Sequence, residues 1–185
     1  MTVLMPLLTA DDLEQFPDDG KRREVIGGVL YVSVTPTRVH QRLSFLLARL
    51  LGEAVYDTGW GEAYYAPVDV RFSERDQVQP DLLVIRKERL GIYRGHIVHG
   101  APDIVIEIIS PSNGMVDLVE KAQLYAANDV PEYWIFDPAA RTCQQYRLED
   151  GQHVPVFPDG DTFRSTVVPD LAIDSQELFA RLRTQ

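Results

Sequence analysis

Cysteine is almost absent from this chain: Cys143 is the only one in 185 residues. A single cysteine excludes an internal disulfide and any thiolate cluster for zinc or iron, and it suits a reducing cytoplasm. No run of 18 apolar residues occurs, so no membrane-spanning helix is expected. The segment from Met1 to Ala10 is apolar but has no basic residue ahead of it, which argues against a signal peptide. Positive charge is scarce, with 18 Lys and Arg against 28 Asp and Glu, a net charge of -10. That balance excludes a generally basic nucleic-acid binder, whose affinity rests on phosphate contacts. Any nucleic-acid contact here has to be local, built by a dimer, assisted by a metal, or weak. Lysine is rarer still, limited to Lys21, Lys87 and Lys121 beside 15 arginines. Internal repeats, low-complexity stretches and linkers are also missing, so residues 1–185 read as one domain.

What is present is a mixture of helical and strand patterns. Thr9 and Asp12 have the spacing of a capping box, opening a short helix that ends near Pro17. Residues from Glu24 to Val34 read as a hairpin turning at Gly27-Gly28. From Pro36 to Tyr56, Leu43, Leu46, Leu47, Leu50 and Leu51 recur at helical spacing. Three strands follow, Glu62–Phe72, Gln79–Arg86 and Asp103–Ser110, with an irregular connection from Lys87 to Ala101. A helix from Asn113 to Asn128, a buried strand from Pro131 to Asp137, and a hairpin from Thr142 to Phe157 turning at Glu149-Asp150-Gly151 come next. A last helix starts at Asp174, with Glu177 placed to complete a capping box. This order predicts an α/β fold with a mixed β-sheet flanked by helices and an antiparallel C-terminal hairpin.

Two acids break the apolar pattern. Glu107 lies inside Ile104-Val105-Ile106-Glu107-Ile108-Ile109, a run that packing alone would keep free of charge. A buried, unpaired carboxylate costs several kcal/mol, roughly, or stays protonated. Asp81 opens a second such run, Asp81-Leu82-Leu83-Val84-Ile85. Strand alternation places Val105, Glu107 and Ile109 on one face and Ile104, Ile106 and Ile108 on the other. Lys121, on the following helix, borders its apolar stripe. Two acids and a lysine suit a Mg²⁺ or Mn²⁺ site that handles phosphate, with carboxylates and a backbone carbonyl as hard oxygen ligands. Each residue also has a plainer reading. Asp81 can simply begin a strand after proline, Glu107 can pair with an arginine such as Arg86, and Lys121 can be a solvated helix residue.

The segments Gln79-Pro80-Asp81-Leu82, Ala101 to Ser112, Lys121 with Tyr125, and Val130 to Pro138 resemble the PD-(D/E)XK nuclease superfamily. Within it the chain is most similar to the Uma-two branch of restriction-endonuclease-like proteins. The stretch from Pro102 to Pro138 is the specific part, because a bare Pro-Asp pair occurs five times in this chain. The resemblance implies that Asp81 and Glu107 bind the metal, together with the backbone carbonyl of Ile108, and that Lys121 is the catalytic lysine. The superfamily pattern puts that lysine two residues after the second acid, where this chain has Ile109; in this branch it moves to the helix. Glu24, His40 and Tyr125 are possible accessory residues. His40 is more often a packing or capping histidine than a ligand, and Glu24 also reads as a partner of the neighbouring arginines. The implied activity is a Mg²⁺-dependent endodeoxyribonuclease, cytoplasmic and homodimeric, acting on nucleic acid and free of the membrane. The alternatives are a nuclease-fold module that has lost catalysis and serves in binding or assembly, and a two-carboxylate enzyme such as a glycosidase.

Overall fold

A computed structural model describes residues 7–33, 35–110 and 115–182. Thr9 caps a short 3-10 helix, Ala10–Gln15, with its N–H donating to Asp12 Oδ2 at 2.8 Å. The first hairpin follows as β1 (Arg22–Ile26) and β2 (Val29–Ser33). Gly27 and Gly28 have φ of 57° and 81°, the left-handed pair that a two-residue hairpin turn requires. Thr37 caps α1 (Arg38–Leu51), accepting from the His40 N–H at 3.2 Å, and a π turn over Gly52–Tyr56 extends the helix.

The strand expected over Glu62–Phe72 is two strands in two different sheets, β3 (Gly61–Tyr65) and β4 (Asp69–Ser73). Pro67 lies in the break; it has no N–H for a ladder, and the chain changes sheets there. Next come β5 (Asp76–Val78), β6 (Leu82–Arg86), β7 (Tyr93–Arg94), β8 (Ile97–His99) and β9 (Ile104–Ile108). The connection expected to be irregular therefore holds a 3-10 turn, Lys87–Ile92, and the two short strands β7 and β8. Helix α2 (Met115–Ala127) is followed by β10 (Glu132–Asp137), β11 (Thr142–Glu149) and β12 (Gln152–Val156). The expected helix start at Asn113, and Pro111 and Ser112 of the motif, lie outside the described residues. The chain ends in β13 (Thr162–Arg164), β14 (Ala172–Asp174) and α3 (Ser175–Ala180). Asp174 caps α3 by accepting from the Glu177 N–H at 2.8 Å, while the Glu177 carboxylate takes Arg181 as its partner.

These strands form two six-stranded sheets, β2-β1-β5-β4-β8-β7 and β12-β11-β10-β9-β6-β3, plus the pair β13-β14. The fold class is the expected α/β one, with two mixed sheets where a single one is expected. β9 is central in the second sheet, antiparallel to β6 and parallel to β10. One face of that sheet, with Leu82, Val84, Ile104, Ile106, Ile108, Trp134 and Phe136, packs on Leu43, Leu47 and Leu51 of α1 and on the C-terminal segment. The other face, with Leu83, Ile85, Val105 and Tyr133, packs on Val70, Val78 and Val98 of the first sheet and on Leu124 and Tyr125 of α2. Glu107 therefore projects on the side of the first sheet and α2, as the alternation of β9 requires.

Candidate metal centre

Three separate elements deliver three carboxylates to one place. β6 and β9 pair with Leu82 opposite Ile106, and one further step of that register sets Asp81 against Glu107. Asp81 Oδ2 accepts from the Ile108 N–H at 2.7 Å, so Ile108 enters the site through its amide. The third acid, Glu24, comes from β1 in the other sheet and accepts from the Gln79 N–H at 2.7 Å. Glu24 and Glu107 are 1% exposed and Asp81 is 2% exposed, which leaves protein groups to compensate their charge.

Two cations do so. Lys121 Nζ lies 2.8 Å from Glu24 Oε1 and 3.2 Å from Glu107 Oε1, and the lysine is 1% exposed. The reading of Lys121 as a solvated helix residue is thereby overturned. Tyr125, one turn further along the same face of α2, donates its hydroxyl to Glu107 Oε1 at 2.7 Å. The second cation is Arg22. Its Nη1 is 3.0 Å from Asp81 Oδ1, and its Nη2 is 3.1 Å from Glu24 Oε1 and 3.6 Å from Glu107 Oε2. Glu107 thus pairs with an arginine, but not with Arg86, which binds the buried Asp103 together with Arg89. His40, on the first turn of α1, meets Asp81 Oδ2 through Nε2 at 3.1 Å.

Charge and burial set the protonation of the acids. Burial pushes the Glu107 carboxyl above its ordinary 4.5, with Lys121 pulling against it and Asp81 adding to the rise. Burial alone would also raise Asp81, but the His40 hydrogen bond and the Arg22 charge outweigh it and hold Asp81 low. Glu24 is held low in the same way, by Lys121 and Arg22 against burial. Burial, followed by the Glu107 charge, pushes the Tyr125 phenol well above its usual value, so it stays a donor.

Glu24 Oε2 and Glu107 Oε2 are buried without a hydrogen-bond partner. Orphaned carboxylate oxygens are costly and rare in native proteins. Hard oxygens of this kind are what Mg²⁺ and Mn²⁺ take as ligands, so the donor set fits such an ion. As they stand, no three His, Cys, Asp or Glu side chains among the described residues close around one coordination point; the Arg22 guanidinium lies among the three acids.

Arg22 is the residue that sequence reasoning does not single out. Its signal is the two-residue spacing to Glu24, which puts both on one face of β1; the link to Asp81, 59 residues away, has no local trace. Asp81 lines a cleft of about 1040 Å³, together with Arg22, Arg23, His40, Phe45 and Tyr65, while Glu24, Glu107 and Lys121 lie behind its walls.

A crystal structure described as a "putative nuclease belonging to DUF820", from Anabaena variabilis ATCC 29413, superposes with a TM-score of 0.82. It is 20% identical over 95% of this chain and 99% of its own, a likeness of fold. No protein of curated function matches. The model of the Uma2 family, described as "putative restriction endonuclease", matches residues 10–176, nearly the whole of the described fold. With Asp81, Glu107 and Lys121 all inside that span, the chain belongs to the Uma2 family.

Proposed function

We propose that the protein is a metal-dependent endonuclease that hydrolyses phosphodiester bonds in DNA. The observation that carries this reading is the convergence of Glu24, Asp81 and Glu107, with Lys121 between two of them, beside a wide cleft. Asp81 and Glu107 hold Mg²⁺ or Mn²⁺, and Glu24 is the further carboxylate in reach. The bound ion supplies Lewis acidity and a water of lowered pKa. The ammonium of Lys121, fixed by two carboxylates, stabilises charge that develops on the phosphate oxygens. Tyr125 orients Glu107, and His40 orients Asp81. Restriction endonuclease, as the family is described, points to duplex DNA, and two active sites in a homodimer suit cutting both strands. A reducing cytoplasm fits the lone Cys143.

The test is Mn²⁺ calorimetry together with plasmid nicking, with EDTA as the blank. Wild type should bind Mn²⁺ and nick DNA, and Glu107→Gln should do neither. Equal Mn²⁺ binding by both proteins rules out this site. Metal binding without cleavage of any nucleic acid would favour the non-catalytic nuclease-fold module.

A further inference from the structure

Arg22 is an unusual neighbour for a cation site. Its planar fork spans three carboxylates from three elements, a reach that a lysine point charge does not have. The arrangement nonetheless serves its members poorly. Arg22 Nε is buried with no hydrogen-bond partner, and so are Glu24 Oε2 and Glu107 Oε2. One donor and two acceptors are thus left without a hydrogen bond within a single cluster of charges, Glu107 Oε2 keeping only the 3.6 Å ion pair to Arg22, although buried polar groups are ordinarily satisfied.

Charge counting points the same way. With all three acids ionised and Lys121 in place, a divalent ion makes the cluster neutral only if Arg22 leaves. If the guanidinium stays, the buried cluster carries excess positive charge, at a low-dielectric cost. Arg22 also has a way out. It is the first residue of β1, its side chain is 17% exposed, and it lines the cleft. Lys121 has no such freedom at 1% exposure.

Resting on the metal reading above, we propose that Arg22 is a resident counter-cation. Together with Lys121 it offsets the charge of Glu24, Asp81 and Glu107 in the metal-free protein, competes with the divalent ion for their oxygens, and gives way into the cleft when the ion binds. Arg22 thereby sets the metal affinity of the site without being a ligand.

The experiment compares wild type with Arg22→Met by Mn²⁺ calorimetry and by melting with and without Mn²⁺. Removing one competing charge should tighten Mn²⁺ binding by about tenfold or more, on the order of one screened charge contact. Metal-free Arg22→Met should melt below wild type, because its three acids lose one of their two compensating cations, and its gain on adding Mn²⁺ should exceed wild type's. A second readout uses the wild-type protein alone. The Nε–Hε resonance of Arg22 should shift on adding diamagnetic Mg²⁺ and saturate with the ion. If Arg22→Met binds Mn²⁺ no more tightly than a binding-competent wild type, the counter-cation role is overturned while the metal centre stands. Should Arg22→Met fail to fold, an Arg22 resonance that stays put as wild type saturates with Mg²⁺ overturns it equally. If neither protein binds metal, both the role and the metal centre fall.

Discussion

Glu107 is the carboxylate on which the proposed chemistry rests, and its burial makes it costly. Burial holds its carboxyl above the ordinary 4.5, while Glu24 and Asp81 are held below theirs. The consequences for stability therefore oppose each other. The contribution of Glu107 to folding is complete below its unfolded value and is lost as pH rises through its raised native value. Those of Glu24 and Asp81 are present above their unfolded values and are lost as pH falls through the lowered native ones. A metal needs the Glu107 carboxylate, so Mn²⁺ affinity should weaken as pH drops through that raised value, and binding there should release a proton. Calorimetry in two buffers of different ionisation heat checks this; a binding heat independent of buffer at acid pH sinks it. Lys121 belongs to the same argument. Replacing it leaves Glu24 and Glu107 with less compensation, so Lys121→Met should lose about 3–5 kcal/mol in EDTA by urea unfolding. Added Mg²⁺ should restore part of that loss. Its nicking rate should fall by about 10²–10³, because the contact acts on transition-state charge. Nicking as fast as wild type would remove Lys121 from catalysis.

Elements set how precisely these side chains meet. The i, i+4 spacing of Lys121 and Tyr125 on α2 brings both to Glu107. Asp81 is aimed by the start of β6, and β6 is held on one side by β9 and on the other by β3. The β3 contact leaves no room at Gly61: a Cβ there would stand 2.3 Å from the Ile85 carbonyl oxygen and 2.8 Å from the Arg86 Cα. Both atoms are backbone, so the strands have to part. Gly61→Ala should cost about 1–3 kcal/mol by overpacking and weaken Mn²⁺ binding through β6. Gly52 is the control. It is helical with φ of -57°, and a Cβ there meets nothing within 4 Å, so Gly52→Ala should be neutral or stabilise by about 0.5–1 kcal/mol. Urea midpoints for the two variants decide it, and Gly61→Ala with wild-type stability would contradict the strand packing.

At the scale of the whole molecule, the net charge of -10 makes a single copy a poor electrostatic match for DNA. A dimer leaves that net charge negative but brings the local arginines of two copies to one duplex, so under this proposal the protein should scatter light as a dimer. A monomeric mass throughout a dilution series would exclude that assembly. No helix among the described residues is long and apolar enough to cross a membrane, in line with the absence of long apolar runs.

Much of this architecture was legible residue by residue. Glycine pairs and hydrophobic periodicity located the first hairpin, α1, β9, β10 and the β11-β12 hairpin, because turn conformations and amphipathic faces are local properties. The mid-strand acid Glu107 exposed the site, since no packing argument explains a charge there. Sheet membership was not local: β3 and β4 look like one strand until Pro67 sends them to different partners. Short strands such as β5, β7 and β8 carry too few residues to show a period, and their pairing alone makes them strands. The centre of the site was decided in the same way. Arg22 and Asp81 are 59 residues apart, and His40 and Asp81 are 41 apart. The sequence by itself determined the longer helices and strands and that a buried carboxylate must be compensated. Only the tertiary structure decided that Arg22, Lys121 and His40 compensate it, because the partner of a buried charge is chosen by distance in space.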